Sequence, residues 1–164
     1  MAITNTRLLE KRAEVHWDTA LLLKESNDEW AAVLAFYSCY QLARSALLSD
    51  PIFDDEQRLI KDLHHNLRTE DKYVTKHEVH LAGKDGNGFG INDLVHQLYR
   101  YVSGLYRALH RGSIDVRYEN GLQNSLTIDT QLNLAELFRA EYQSGNLAYD
   151  VARHLEKIQI RRSQ

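Results

Sequence analysis

The sequence contains one proline, one cysteine and only eight glycines among its 164 residues. Because proline and glycine interrupt regular structure, their scarcity favours long helices over many short strands. The single cysteine, Cys39, cannot form an internal disulfide, and it lies in an alanine- and aromatic-rich stretch where a thiol packs as a small apolar side chain. The composition therefore predicts an all-α protein that disulfides do not hold together.

Long apolar runs are also missing. No segment approaches the roughly 18 consecutive apolar residues that a membrane-spanning helix needs, and the first residues, MAITNTRLLEKRAEV, contain no apolar stretch of signal-peptide type. The net charge of −3 gives no overall attraction to nucleic acid or to a membrane, so an anion would have to bind a local positive patch. We therefore expect a cytoplasmic protein that makes no membrane contact.

Apolar residues recur at helical spacing in several segments of the chain. The predicted helices cover 6–26, 29–48, 54–67 and 91–110, with a last segment from 130 that a break near Ser144-Gly145 could divide in two. Residues 69–90 and 112–129 lack this period and are predicted to be irregular. The 29–48 helix is apolar on most sides and belongs in the middle of the fold. We predict a single domain over 1–164, folded as an all-α, up-and-down helical bundle of four to five main helices.

The helix that begins at residue 91 has one apolar face and one positively charged face. At 100° per residue, its apolar face comprises Ile91, Val95, Leu98, Val102, Leu105 and Leu109. The opposite face carries His96, Arg100, Arg107 and Arg111, in a row about 22 Å long. Small residues, Ser103 and Gly104, lie among the arginines, and His110 lies on the flank of the row. Guanidinium groups bind phosphate oxygens through paired, charge-assisted hydrogen bonds, so the row is a candidate phosphate-binding surface. The competing interpretation is a set of arginines that complement the helix dipole and keep the surface soluble.

Two segments resemble the HEPN superfamily, whose domains have four to five helices. The first is AFYSCYQLARSALL in the 29–48 helix, which is similar to the second helix of many members. The second is LHRGSIDVRYENG at 109–121. HEPN ribonucleases have an arginine followed after four to six residues by a histidine, and often by a tyrosine two residues later. Arg111 and Tyr118 match that pattern, but Val116 occupies the position of the histidine. The nucleotide-binding branch of the superfamily has an arginine–tyrosine pair here, similar to Arg117-Tyr118.

The resemblance implies a nucleotide- or RNA-binding module of a toxin–antitoxin or antiphage defence system, acting as a homodimer or with a partner protein encoded nearby. In the family the histidine is thought to transfer the proton, and valine can neither take up nor release one. We therefore expect phosphate binding without standard nuclease activity and without a cofactor. The predicted phosphate contacts are His96, Arg100, Arg107, Arg111, Arg117 and Tyr118.

Two other functions remain open at this point. The first is an active, metal-independent endoribonuclease in which His110, or His64 and His65, replaces the missing histidine, with Arg111 beside it. His110 adjoins Arg111, but its side chain points about 100° away on a helix. The second is a structural adaptor that binds a partner through apolar helix faces while the arginines make no specific contact.

A metal site is not predicted, although four histidines lie close together in the sequence. They are His64, His65, His77 and His80. The segment KHEVH does not match the HExxH zinc motif because its histidines are three residues apart, so a solvated polar loop is the favoured interpretation. The segment DGNGFGIND at 85–93 partly resembles a calcium loop, but Phe89 and His96 stand where oxygen ligands are required.

Overall fold

The computed structural model describes residues 5–56, 67–78, 89–123 and 126–149, and within these ranges it contains helices and no strand. Five α-helices lie in these ranges, namely α1 (Thr6–Glu25), α2 (Trp30–Ser49), α3 (Ile91–Leu98), α4 (Arg100–Tyr118) and α5 (Ile128–Gln143). Two short 3₁₀ turns, Pro51–Asp54 and Thr69–Tyr73, lie between α2 and α3. The predicted all-α helical bundle is confirmed. No helix in the described ranges has both the length and the apolar content needed to cross a membrane.

Helix α1 begins and ends at residues that suit helix termini. The Asn5 side chain accepts a hydrogen bond from the Leu8 backbone nitrogen at 3.3 Å, as an N-cap residue does. After the helix ends, Asn27 adopts a positive φ of 53°, a conformation that asparagine tolerates better than most residues. The buried side of the helix packs on α2 and comprises Leu9, Ala13 and Ala20.

Helix α2 is the centre of the bundle, as its apolar sequence predicts. It contacts α1, α4 and α5, and nearly every residue from Ala31 to Leu47 is buried. Its many alanines and serines let the neighbouring helices approach closely. The helix stops at Asp50-Pro51, where the Asp50 side chain accepts a hydrogen bond from the Ile52 nitrogen at 3.0 Å. The sequence-predicted end of this helix is therefore correct within one residue.

The helix predicted over 91–110 is interrupted at Tyr99, which has φ −121° and ψ 52°. The buried Tyr99 hydroxyl donates a hydrogen bond to Asp50 Oδ2 at 2.8 Å, so the interruption is anchored to the end of α2. The same carboxylate oxygen also accepts a hydrogen bond from the Tyr149 backbone nitrogen at 2.9 Å. One long predicted rod is therefore two helices, α3 and α4, with a fixed junction.

The prediction that 112–129 is irregular is wrong for 112–118, because α4 continues to Tyr118. The buried residues of this last part are small or polar, so they leave no apolar period in the sequence: Gly112, Ser113 and Asp115. A Cβ atom added at Gly112 would lie 2.3 Å from Gln131 Oε1 on α5. An alanine at this position would therefore force the buried Gln131 side chain to shift.

The remaining boundaries are partly confirmed. Helix α5 begins at Ile128, two residues before the predicted start, and Gly145 has a φ of +73° just after the helix ends, so the break predicted at Ser144-Gly145 is confirmed. The region predicted as irregular from 69 contains the Thr69–Tyr73 turn. Most of the helix predicted at 54–67 lies outside the described residues, as do 79–88 and the segment after 149.

Candidate functional site

Three residues of the predicted cationic row lie exposed on one side of α3 and α4: His96, Arg100 and Arg107. Ser103 connects them across the junction, because its Oγ donates to the Arg100 carbonyl at 3.0 Å and lies 3.4 Å from His96 Nδ1. A Cβ added at Gly104 would meet no atom within 4 Å, so the backbone between the arginines is open. We call His96, Arg100, Ser103 and Arg107 the arginine face.

No carboxylate among the described residues neutralises the arginines of this face. Within the described ranges, neither Arg100 nor Arg107 has a carboxylate oxygen within 4.0 Å of its guanidinium. Their two charges, seven residues apart on one helix, stand in a chain whose net charge is −3. The face is thus a local positive patch of the kind that an anion would need.

Arg111 is also exposed, but it is paired. Its Nε lies 3.0 Å from Asp115 Oδ1, and the Asp115 side chain is only 2% exposed. A buried carboxylate without a nearby cation is costly, so Arg111 compensates this charge within its own helix. The structure therefore gives Arg111 a structural partner that the sequence analysis did not assign.

Arg117 and Tyr118 do not extend the arginine face. Arg117 turns toward α2, where its Nη1 donates to the Tyr37 hydroxyl at 3.1 Å and its Nε donates to the Ser113 carbonyl at 3.2 Å. Its guanidinium lies 4.9 Å from the ring centroid of Tyr118, which is 73% exposed. The six predicted phosphate contacts therefore divide between two places rather than forming one continuous surface.

His110 lies with Arg117, on the flank of the arginine row as predicted, and its side chain is buried. It is 6% exposed, and its ring stacks on Phe36 with a centroid distance of 5.0 Å and an interplanar angle of 28°. Its Nδ1 lies 2.8 Å from Asn92 Nδ2, and that amide nitrogen also donates to Glu78 Oε1 at 3.1 Å. An amide that donates to Nδ1 requires a neutral ring, in agreement with the burial that lowers the pKa of His110.

A second histidine, His77, lies beside His110, with 5.1 Å between the ring centroids. Burial, followed by the nearby His110 and Arg117, lowers the pKa of His77 to about 4, and only Glu78 acts in the opposite direction. We call His77, Glu78, Asn92, His110 and Arg117 the histidine cluster. Within the described residues, two of its buried polar atoms have no hydrogen-bond partner, namely His77 Nδ1 and Asn92 Oδ1.

The backbone explains how the segment that carries His77 reaches the helices. The Ile91 nitrogen donates to the Lys76 carbonyl at 2.8 Å, and the Asn92 nitrogen donates to the His77 carbonyl at 3.0 Å. A Cβ added at Gly90 would lie 2.4 Å from that His77 carbonyl oxygen, so only glycine allows the segment to lie so close. Asp93 completes the start of α3, because its Oδ2 accepts from the Gly90 nitrogen at 2.9 Å.

The histidine cluster was not predicted from the sequence, although one signal for it is present there. His110 and Arg117 are seven residues apart and therefore share one face of α4, about 80–100° from the arginine face. His77 was assigned to a solvated loop, and nothing in the local pattern connects it to α4. The other histidines of that region, His64, His65 and His80, lie outside the described residues. Among the residues that are described, no group of three or more His, Cys, Asp or Glu side chains is arranged to hold a metal ion.

Comparisons with known proteins give no further assignment, since no protein-family model, curated protein or solved structure matches the chain. The arginine face and the histidine cluster must therefore be interpreted from their own geometry and from the sequence.

Proposed function

We propose that the chain is a cytoplasmic, HEPN-like module that binds RNA through the arginine face, within a toxin–antitoxin or antiphage defence system. The observation that carries this proposal is the pair of exposed guanidinium groups, Arg100 and Arg107, which have no carboxylate partner among the described residues. The resemblance of AFYSCYQLARSALL and of Arg117-Tyr118 to HEPN sequences supports the same class of ligand.

The spacing of the two arginines favours an extended polyanion over a single nucleotide. Arg100 and Arg107 are two helical turns apart, about 10 Å along the axis. Successive phosphates of an RNA strand that follows the helix could contact one group each, whereas a single phosphate would need both side chains to bend toward each other. The open backbone at Gly104 lets a strand approach the helix closely between the two contacts.

Fluorescence anisotropy with a labelled single-stranded RNA at several salt concentrations tests this proposal. Each phosphate contact releases counterions, so the double variant Arg100→Ala/Arg107→Ala should bind RNA more weakly. The slope of the logarithm of the binding constant against the logarithm of the salt concentration should become less steep by about 1.4. The control is Arg7→Ala/Lys24→Ala, which removes the same charge from exposed positions on α1 and should bind as wild type does. Unchanged affinity in the arginine-face variant, or no binding at low salt, would instead favour the structural adaptor.

A second candidate function, a metal-independent endoribonuclease, is supported by the contact between His77 and His110 beside Arg117. A neutral imidazole can accept a proton from a ribose hydroxyl, and a protonated one can donate to a leaving oxygen. Both rings have lowered pKa values in the free protein, so a donor would arise only when the negative charge of a bound phosphate raises one of them.

Cleavage of labelled RNA in the presence of EDTA tests the second candidate. If the histidine cluster is catalytic, His77→Gln and Arg117→Gln should abolish cleavage, whereas Arg111→Ala should retain it because Arg111 lies outside the cluster. Loss of cleavage in Arg111→Ala alone would point to the family's arginine position instead. Absence of cleavage by the wild type would leave RNA binding as the activity.

A further inference from the structure

Helix α1 has an apolar stripe on its outer side, in addition to the inner side that packs on α2. The stripe consists of Leu8, Val15 and Leu22, which are 41%, 56% and 64% exposed. These residues are seven positions apart, so they remain nearly in line along the helix, drifting by about 20° per heptad. Three large apolar side chains aligned on a helix surface favour a partner that covers them.

The charges beside the stripe indicate what that partner is. Lys11 and Asp18 lie on the same side of the stripe, about 40° and 60° around the helix from Val15. Both are exposed, and in the part of the chain that the structure describes neither has an oppositely charged partner within 4.0 Å. One side of the helix therefore carries an unpaired cation before Val15 and an unpaired anion after it.

We infer that α1 pairs in antiparallel orientation with α1 of a second copy of this chain, about a two-fold axis beside Val15. Lys11 precedes Val15 by four residues and Asp18 follows it by three, so Lys11 of one copy lies within about 1.5 Å of the level of Asp18 of the other. The symmetry forms this ion pair twice and places Leu8 of each copy beside Leu22 of the other. In a parallel pair Lys11 would instead lie beside Arg12 of the second copy, so like charges would meet.

The shape of the surface agrees with this pairing. A shallow groove of about 290 Å³ lies on the outer side of α1 and is lined by Leu8, Lys11, Arg12, Val15 and His16. The first four of these are spaced i, i+3, i+4 and i+7, which is the arrangement of a hole that receives a side chain from a paired helix. Two helices of about 30 Å bury a small area, so the dimer should dissociate on dilution. This surface is on α1 and does not depend on RNA binding by α4.

Disulfide trapping tests the orientation directly. Val15→Cys should form a covalent dimer with itself under mild oxidation, because the two Val15 positions meet at the axis. Leu8→Cys and Leu22→Cys should each remain uncrosslinked alone and should crosslink to each other when mixed. The natural Cys39 is fully buried, and burial raises the pKa of its thiol, so it should give no background. Self-crosslinking of Leu8→Cys, or no crosslinking in any sample, would overturn the antiparallel pair.

Charge reversal with analytical ultracentrifugation provides the second test. The wild type should sediment as a concentration-dependent dimer of the 19.0 kDa chain. Lys11→Glu places like charges together and should weaken dimerisation roughly tenfold, and the double variant Lys11→Glu/Asp18→Lys should restore it. Lys76→Glu makes the same charge change at an exposed position outside α1 and should have little effect. A monomeric wild type would contradict the pairing, and so would a double variant that dimerises no more tightly than Lys11→Glu. Circular dichroism checks that each variant is folded.

Discussion

Two clusters of polar side chains pack against different sides of α2, and they differ in how completely their hydrogen bonds are satisfied. In the first, Arg139 of α5 is 7% exposed and donates to Ser38 Oγ at 2.7 Å and to Glu14 Oε1 at 2.9 Å. Its guanidinium carbon lies 4.8 Å from the centroid of the Trp17 ring. Ser38 in turn donates to the Ala13 carbonyl at 2.8 Å. This arrangement joins α1, α2 and α5, and no buried side-chain atom of Arg139 or Ser38 is without a hydrogen-bond partner.

The histidine cluster on the other side of α2 is incompletely paired. Its rings are held between aromatic side chains, yet His77 Nδ1 and Asn92 Oδ1 have no hydrogen-bond partner among the described residues. Buried polar atoms are nearly always paired, so unpaired ones require a reason. We infer that the Arg139 cluster stabilises the fold. In the histidine cluster, His77 Nδ1 and Asn92 Oδ1 could instead form hydrogen bonds with a ligand.

The largest expected effect comes from breaking the first cluster. Arg139→Met keeps much of the side-chain volume but removes the hydrogen bonds to Ser38 and Glu14, which should lower the free energy of unfolding by about 2–3 kcal/mol. Urea denaturation followed by circular dichroism measures the loss. Arg107→Met is the matched control, because Arg107 is exposed and has no carboxylate partner in the described part of the chain, and it should change stability by less than about 0.5 kcal/mol. Equal effects of the two variants would contradict the stabilising role of the Arg139 cluster.

A smaller effect is expected where α4 packs on α5. Gly112→Ala would place a methyl group against the fully buried Gln131 side chain and should destabilise the protein by about 1–2 kcal/mol. Gly104→Ala makes the same change on the same helix in open space and should stabilise it by up to about 1 kcal/mol. Thermal denaturation of both variants should therefore move the midpoint in opposite directions. A shift in the same direction would contradict the close contact at Gly112.

The third effect tests the histidine cluster through the pH dependence of stability. The pKa of His77 falls from 6.5 to about 4 on folding, so below pH 6.5 the unfolded chain binds a proton that the folded protein does not. The free energy of unfolding should therefore decrease as the pH falls from 6.5 toward 4. His77→Gln should reduce this decrease, whereas His96→Gln, which removes an exposed histidine, should retain it. Denaturant titrations at several pH values make the comparison, and identical pH profiles for wild type and His77→Gln would contradict it.

The helices were predictable from the sequence where apolar residues and capping residues agreed. Asn5 and Asp50-Pro51 mark the ends of α1 and α2, and the exposure of Arg100 and Arg107 follows from helix geometry alone. The last part of α4 was missed because it is buried through small and polar residues, which a hydrophobic period cannot reveal.

The histidine cluster could not be predicted because it depends on contacts between distant segments. The backbone of Lys76 and His77 is held against the start of α3, and that pairing brings His77 to His110, 33 positions further along the chain. Of this site, the sequence indicates only that His110 and Arg117 share a helix face. The pair of Arg111 with Asp115, four residues apart, was visible in principle, but the burial of Asp115 was not.

The junction at Tyr99 gives the arginine face a mechanical connection to the interior of the protein. His96 belongs to α3 and Arg100 to α4, so the relative direction of their side chains is set by the angle between these two helices. That angle is held from within by the contact between the Tyr99 hydroxyl and Asp50, the residue that also ends α2 and receives the Tyr149 nitrogen. A single buried carboxylate at the end of α2 therefore fixes the relative positions of the charged groups on the arginine face.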